Sequence, residues 1–326
     1  MLRITGYSDK YSVHPGEKVK FYINSESNEN YEVQIVRLIH GDTNPEGPGY
    51  KEEELGASCN GNYEGRNQRI HGGSYVIIPQ DDRMNVESFT LQAYIFPTTP
   101  DKGKQGILTK WNETNSSGYG LFVDDDGCLC LMIGDGDGQV FKISSEKKLM
   151  RKVWYLVAAS FDAETGKVIL YQEPTVTPTN GGLGMSLLHP ADETSAIVES
   201  SNNIKPGKND SPLLMAASTV VDRSGRHITG GHYKEALTPV ELPEQGFVYN
   251  GKIDRPRLSN KALSKDEIKN LASGYGGCTS DLRTKVVGAW DFHANITKNI
   301  ASTFIVDMSP SHLNGFIVNL PCRGMT

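Results

Sequence analysis

Apolar and polar residues alternate along most of this chain, which is the pattern of β-strands. Residues 88–97 (SFTLQAYIFP) alternate in this way, and we predict a strand there because successive side chains of a strand point to opposite faces. Other short apolar runs are separated by Asp-Gly turns, such as DDDG at 124–127 and GDGDG at 134–138. Strands at near-regular spacing with this turn chemistry predict an all-β sandwich.

The same pattern predicts strands at 4–7, 18–23, 31–39, 74–78, 106–111, 119–124, 128–134, 140–144, 154–162, 168–174, 212–218 and 286–292. Trp154 and Tyr155 are the expected core anchors of one hairpin. One helix is predicted after residue 263. Ser264 as N-cap and Glu267 three residues later form a capping box, and Gly274 ends the helix.

The chain is long enough for two domains. We predict a small β-sandwich over residues 1–60 and a larger one over 61–326. The Gly-, Pro- and charge-rich segment 40–54 is interpreted as a linker or surface loop near the boundary. Residues 174–229 have low apolar density, apart from 212–218, and are interpreted as a loop-rich insertion.

Charge and composition exclude several classes of protein. The net charge is −6 and no basic stripe is present, so we expect neither a nucleic-acid nor an anionic-membrane partner. No signal-peptide h-region and no run of about 18 apolar residues is found, which predicts a cytoplasmic location. Five cysteines without framework spacing indicate reduced thiols, and the sequons at Asn112, Asn115 and Asn295 are therefore expected to be unused.

A polar loop near the start of the chain offers one candidate ligand site. Arg37, His40 and Asp42 lie beside the Gly/Pro-rich segment, and loops often carry binding residues. The alternative is a hydrogen-bonded loop anchor with no ligand.

The Asp-rich turns offer a candidate calcium site. Asp124, Asp126, Asp135 and Asp137 supply clustered carboxylates, and Ca²⁺ takes six to eight oxygen ligands. The turns lack the spacing of the helical calcium loop, and Asp-Gly is also ordinary hairpin chemistry. Both interpretations remain open.

Other metal or nucleotide sites have weaker support. Cys128 and Cys130 form a C-x-C pair with no second Cys/His pair at zinc spacing, so core cysteines are the simpler interpretation. His227 and His232 are the one histidine pair near ligand spacing, and the sequence has no H-E-x-x-H or G-x-S-x-G motif. GGLG at 181–184 lies in a polar loop and does not predict a phosphate site.

Three blocks together resemble the laminin-G/concanavalin A-like lectin superfamily. They cover residues 88–111, 118–171 and 251–271, and their order, ending in a G-x-I-D strand and a short helix, is that of a jelly roll. The resemblance spans roughly residues 65–320. It implies that the larger predicted domain is a laminin-G-like jelly roll with one short helix, preceded by an Ig-like sandwich.

A narrower resemblance covers essentially the whole chain. Residues 11–23, 35–53, 286–292 and 306–326, with the lectin-like part between them, resemble the N-terminal region of the N,N-dimethylformamidase large subunit family. That family hydrolyses formamides to an amine and formate. The resemblance implies that its mononuclear iron, held by tyrosines and a glutamate, belongs to a catalytic domain C-terminal to this region, so no catalytic residue or cofactor is expected in this chain.

Three functional hypotheses follow. The first is a non-catalytic scaffold of such an amide hydrolase, which docks through apolar strand edges near residue 326 onto a catalytic half and a small subunit, with homo-oligomer formation also open. The second is a carbohydrate-binding module in which Tyr63, Tyr75 or Tyr119 stacks on sugars. The third is a free-standing hydrolase built on the loop from His40 to Asp42, which lacks any nucleophile or metal set.

Overall fold

A computed structural model describes residues 4–10, 12–25, 27–66, 73–175, 193–220, 245–294, 304–318 and 321. The described residues form two compact units, one within residues 1–71 and the other within residues 72–326. His227, His232, Asn295, the 181–184 motif and most of the predicted 174–229 insertion lie outside the described residues. None of the described helices is long and apolar enough to cross a membrane.

The first unit consists of three antiparallel strand pairs. Its strands are β1 (Ile4–Ser8), β2 (Phe21–Ser25), β3 (Tyr31–Val33), β4 (Ile35–Gly41), β5 (Tyr50–Leu55) and β6 (Gly61–Tyr63). Strand β1 pairs with β2, β3 with β6, and β4 with β5. The first unit therefore continues past residue 60. The interpretation of 40–54 as a linker was wrong for residues 50–54, because backbone pairing with β4 holds this charged segment as a strand.

The second unit is a sandwich of two antiparallel sheets. Its strands are β7 (Tyr75–Ile78), β8 (Phe89–Pro97), β9 (Gln105–Asn112), β10 (Ser117–Val123), β11 (Cys128–Asp135), β12 (Val140–Lys148), β13 (Tyr155–Phe161), β14 (Lys167–Pro174), β15 (Ala196–Ser201), β16 (Leu213–Met215), β17 (Ser218–Thr219), β18 (Gln245–Gly246), β19 (Gly251–Ser259), β20 (Val286–Ala289), β21 (Phe304–Ile305) and β22 (Gly315–Val318). One sheet has the order β12-β11-β10-β9-β16-β7-β22-β21, and the other has the order β15-β14-β13-β8-β19-β20. The all-β prediction is confirmed.

The main core lies between these sheets. Alternate residues of β8, including Phe89 and Leu91, pack against alternate residues of β10, including Tyr119 and Leu121. All four are fully buried. The predicted core anchors Trp154 and Tyr155 are buried as well.

The outer face of the six-stranded sheet is covered by helices. Helix α1 (Lys265–Ser273) begins with the predicted capping box between Ser264 and Glu267, and Gly274 follows its last turn. A one-turn helix, α2 (Ser280–Thr284), was not predicted. Short 3-10 helices span Asp82–Met84 and Tyr275–Gly277.

The outer face of the eight-stranded sheet is also buried. Trp111, Phe122 and Cys130 form one cluster on this face, and Tyr75 and Leu214 belong to a second. The inner strands β10 and β11 therefore pack on both sides, which explains why their sequences are almost continuously apolar. The interpretation of 174–229 as loop-rich was wrong for residues 196–201. These residues form β15, which pairs with β14 and extends the six-stranded sheet.

Candidate functional site

The predicted ligand residues of the first unit lie on and just after strand β4. Arg37 is exposed and its Nη1 lies 3.6 Å from Oε2 of Glu53 on β5. His40 accepts a hydrogen bond at Nδ1 from the backbone N–H of Asp42 (3.2 Å), and Oδ1 of Asp42 accepts one from the backbone N–H of Asn44 (2.8 Å). These contacts are those of a loop anchor. A ligand at Arg37, His40 and Asp42 stays a prediction.

The predicted calcium ligands occupy two separate turns. Asp124 and Asp126 lie in the turn before β11, whereas Asp135 and Asp137 lie at its other end. Seven residue steps of a strand span about 23 Å, so the four carboxylates do not share one cage. Among the residues that the structure describes, no three His, Cys, Asp or Glu side chains are grouped as a metal site.

Each turn uses its first aspartate to bind backbone N–H groups. Oδ1 of Asp124 accepts hydrogen bonds from the N–H groups of Asp126 (3.1 Å) and Cys128 (2.9 Å). Oδ1 of Asp135 does the same for Asp137 (2.8 Å) and Gln139 (3.0 Å). This geometry is that of the turn interpretation, and calcium binding stays a prediction.

The turn at Asp124 opens onto a charged groove beside β12. The groove has a volume of about 510 Å³, within the usual range for small-molecule pockets. Oδ2 of Asp124 accepts a hydrogen bond from the Ser144 hydroxyl (2.8 Å), and Glu146 has a left-handed backbone with φ of 55°. The groove is lined by Asp124, Asp126, Cys128, Lys142, Ser144, Glu146 and Lys148.

The cysteines of this region are poor nucleophiles. Burial, followed by the nearby charge of Asp124, raises the pKa of the Cys128 thiol. Burial raises the pKa of Cys130 to about 12. Because the thiolate is the reactive form, neither side chain is activated for catalysis at neutral pH.

We expect one fast-reacting thiol among the four described cysteines. Cys59 is exposed, whereas Cys128, Cys130 and Cys278 are buried, and burial raises the pKa of all three. Labelling with a thiol reagent at pH 7, followed by mass mapping, should modify Cys59 at once and the other three only in urea. Rapid native labelling of Cys128 would contradict this assignment.

Two of the three predicted sugar-stacking tyrosines are unavailable. Tyr119 is 1% exposed, and its hydroxyl donates to the Met84 carbonyl (2.8 Å). Tyr75 is 3% exposed within β7. Both residues lie on strands, β7 and β10, as the strand pattern predicts, and their buried rings cannot stack on a sugar. Tyr63 is exposed and stacks on Tyr31, with ring centroids 5.9 Å apart.

Several tyrosines of the second unit are buried, and their hydroxyls are hydrogen-bonded within the fold. Burial raises the pKa values of Tyr119, Tyr155 and Tyr249, so these phenols are protonated at neutral pH. The Tyr155 hydroxyl is already bonded to Thr194 and to the N–H of Met150. Among the described residues of the second unit, the Tyr171 hydroxyl donates a hydrogen bond to Glu173, and Lys269 also donates to this carboxylate.

Sequence reasoning missed a buried lysine on β9. Lys110 is 1% exposed, and its Nζ donates to Oε1 of Gln80 (2.8 Å) and to the carbonyls of Asn209 (2.9 Å) and Ser211 (2.8 Å). Burial lowers the pKa of this amine to about 8. A lysine in the run GILTKW has no local signal for burial, because all three partners are distant in sequence.

Comparisons with known proteins found a matching family model and similar solved structures. Residues 71–205 match the family model described as the concanavalin A-like lectin/glucanases superfamily. The second unit is therefore a concanavalin-like jelly roll, as the sequence predicted. A crystal structure of a suggested carbohydrate-binding protein from Bacteroides ovatus has a TM-score of 0.46 and 14% identity, covering 99% of this chain and 79% of that one.

Two curated relatives match the whole chain. The N,N-dimethylformamidase beta subunit of Paracoccus aminophilus is 33% identical over 330 residues, and that of an Alcaligenes species is 33% identical over 332 residues. Each alignment covers 100% of this chain and 40% of the relative. Both are named beta subunits, and the large-subunit label stays a prediction. This chain is thus similar throughout its length to two fifths of an N,N-dimethylformamidase beta subunit, and it contains a concanavalin-like jelly roll.

Proposed function

We propose that this chain is a non-catalytic scaffold region of an N,N-dimethylformamidase-like amide hydrolase. The observation that carries the proposal is the similarity of the whole chain to only 40% of each beta subunit. The enzyme would hydrolyse the formamide C–N bond to an amine and formate. Its iron, if the chain resembles the family in this respect, would be bound outside the described residues.

The chemistry of the described side chains supports a scaffold role. Hydrolysis of an amide needs an activated nucleophile or a metal-bound water. Cys128 and Cys130 are protonated at neutral pH, since their pKa values are raised. The His40 imidazole is bonded to its own loop, and no grouped metal ligands occur among the described His, Cys, Asp and Glu residues.

Exposed apolar side chains support docking onto other protein surfaces. Phe304 of the edge strand β21 is 40% exposed, and Met308, which follows this strand, is 48% exposed. In the first unit, Leu38, Ile39 and Tyr50 of the β4–β5 hairpin are exposed. A two-stranded hairpin is at best marginally stable alone, so contacts with a catalytic part or a partner subunit would stabilise it.

Formate release from N,N-dimethylformamide tests the proposal. We expect the purified chain to release none. We expect activity when the chain is co-expressed with the remaining part of a relative such as the Paracoccus aminophilus beta subunit and with the partner subunits of that enzyme. Formate release by the chain alone would contradict the scaffold role and return attention to the loop from His40 to Asp42.

Carbohydrate binding remains the alternative, because the jelly roll resembles lectins. It is the weaker hypothesis, since Tyr75 and Tyr119 are buried and helices cover the outer face of the six-stranded sheet. The carbohydrate-binding hypothesis would be favoured if neither assay releases formate and if a sugar raises the melting temperature of the chain. The cytoplasmic location stays a prediction.

A further inference from the structure

The ammonium group of Lys104 lies between two phenylalanine rings at the outer face of the eight-stranded sheet. Its Nζ is 4.9 Å from the ring centroid of Phe122 and 4.5 Å from that of Phe247. The same Nζ lies 3.7 Å from Oε2 of Glu113. Two aromatic faces and one carboxylate therefore surround a single cation, and we call Phe122, Phe247 and Glu113 the ammonium cage.

Hydrogen bonds hold the carboxylate side of the cage in place. Oε2 of Glu113 accepts the indole N–H of Trp111 (2.5 Å), and the Glu113 backbone N–H donates to Oγ1 of Thr219 (3.3 Å). The Thr219 hydroxyl donates in turn to the Trp111 carbonyl (2.5 Å). Phe122 is fully buried beside Trp111. The cage is thus organised by contacts that do not involve Lys104.

The second ring is presented by a strained backbone. Phe247 has a φ of 47°, a left-handed conformation that bulky residues rarely adopt. Its carbonyl accepts a hydrogen bond from the Gly106 N–H (2.7 Å), which fixes it against β9. Such strain persists where the surrounding structure specifies it, often at ligand-binding positions.

We propose that the ammonium cage is a binding site for small alkylammonium ions, and that the side chain of Lys104 is its resident internal ligand. Aromatic faces attract organic cations through the ring quadrupole, and a carboxylate adds charge complementarity. The Lys104 side chain is 19% exposed, so the site has access to solvent. A tethered amine has a millimolar or higher effective concentration. Free ions therefore bind well only after the Lys104 amine is removed.

Chemical rescue of Lys104→Ala tests the proposal. The probe is dimethylammonium chloride, and this choice alone rests on the proposed function, because hydrolysis of N,N-dimethylformamide yields that amine. We expect the variant to melt about 2 to 4 °C below the natural protein. Dimethylammonium should restore at least half of that loss by binding the native state, whereas sodium chloride at equal ionic strength should not.

Matched variants separate the cage from general salt effects. Adding Glu113→Gln to Lys104→Ala should abolish the rescue, and Lys167→Ala, which removes the exposed ion pair with Glu199, should show none. If Lys104→Ala does not fold, Lys104→Met keeps the apolar stem and is measured by urea unfolding.

Two results would overturn the proposal. One is an equal response to both salts, and the other is a Lys104 variant as stable as the natural protein. The formate assay does not enter this test, so a failed scaffold proposal leaves the result intact.

Discussion

Replacing Asp307 with alanine is expected to lower the free energy of unfolding by about 4 kcal/mol or more. The carboxylate is 2% exposed. Its Oδ1 accepts the N–H groups of Ala289 and Ser309 (both 2.8 Å). Its Oδ2 accepts the Ser309 hydroxyl (2.7 Å) and the N–H of Leu313 (2.8 Å).

The size of this effect follows from what alanine leaves behind. Three buried backbone donors lose their acceptor, and each hydrogen bond to a charged group contributes about 1.5 to 3 kcal/mol. Because Ala289 ends β20 of the six-stranded sheet and Leu313 precedes β22 of the other, the carboxylate also joins the two sheets. Urea unfolding followed by tryptophan fluorescence measures the loss.

Two further variants make this prediction specific. Asp307→Asn keeps one acceptor oxygen for two of the N–H groups but turns an amide donor toward Leu313, so its loss should be intermediate. Asp101→Ala removes an exposed ion pair with Arg151 and should cost less than about 1 kcal/mol. A loss below that value for Asp307→Ala would show that the carboxylate does not hold the sheets together.

Local chemistry was sufficient to predict helix α1 and the tight turns. Ser264 and Glu267 form a capping box, and Gly274 ends the same helix. The effect of these residues is local, so it does not depend on the rest of the fold. The same holds for Asp124 and Asp135, whose carboxylates bind N–H groups two and four residues away. The turn interpretation needed only Asp-Gly spacing.

Burial by distant parts of the chain could not be predicted in this way. Tyr75 and Tyr119 lie on predicted strands, but their burial was not predicted, because the sequence does not show that the faces of the large sheet are covered at these positions. The strand β5 was missed because YKEEEL has no apolar alternation, yet pairing with β4 satisfies its backbone. The role of Asp307 depends on Ala289, which is 18 residues away.

The ammonium cage also depends on residues that are distant in sequence. Lys104 and Phe247 are separated by 143 positions, and no local pattern connects them. Glu113 and Trp111 are close in sequence, but their hydrogen bond indicates a cation site only once Lys104 is known to lie beside Glu113. Contacts between side chains on strands that are neighbours only in the folded sheet therefore cannot be predicted from the sequence of this protein.

Replacing Lys110 with methionine is expected to lower the free energy of unfolding by about 2 kcal/mol at pH 7. Methionine fills a similar volume but cannot donate to Gln80, Asn209 and Ser211. Four oxygens then lose a partner, because Asn209 accepts at both its carbonyl and its Oδ1. The loss is moderated because the variant no longer buries a cation. Lys167→Met, at an exposed ion pair, is the matched control and should change stability by less than about 1 kcal/mol.

The difference in unfolding free energy between the natural protein and Lys110→Met should depend on pH. This dependence shows whether the buried amine loses its proton in the folded protein. Burial lowers the Lys110 pKa from 10.5 to about 8 in the folded protein. Below pH 8 the amine is protonated in both the folded and unfolded states, so the gap between the natural protein and Lys110→Met should be constant. Between pH 8 and 10.5 the unfolded chain binds a proton that the folded protein lacks.

Stability rises with pH wherever the unfolded state binds more protons. The natural protein should therefore gain stability relative to the variant across this interval, by up to about 3 kcal/mol. Urea unfolding of both proteins at pH 7, 8, 9 and 10 measures the gap, and taking the difference cancels the titration of the buried tyrosines. A difference in stability that stays constant to pH 10 would mean that the four acceptor oxygens keep Lys110 fully charged despite its burial.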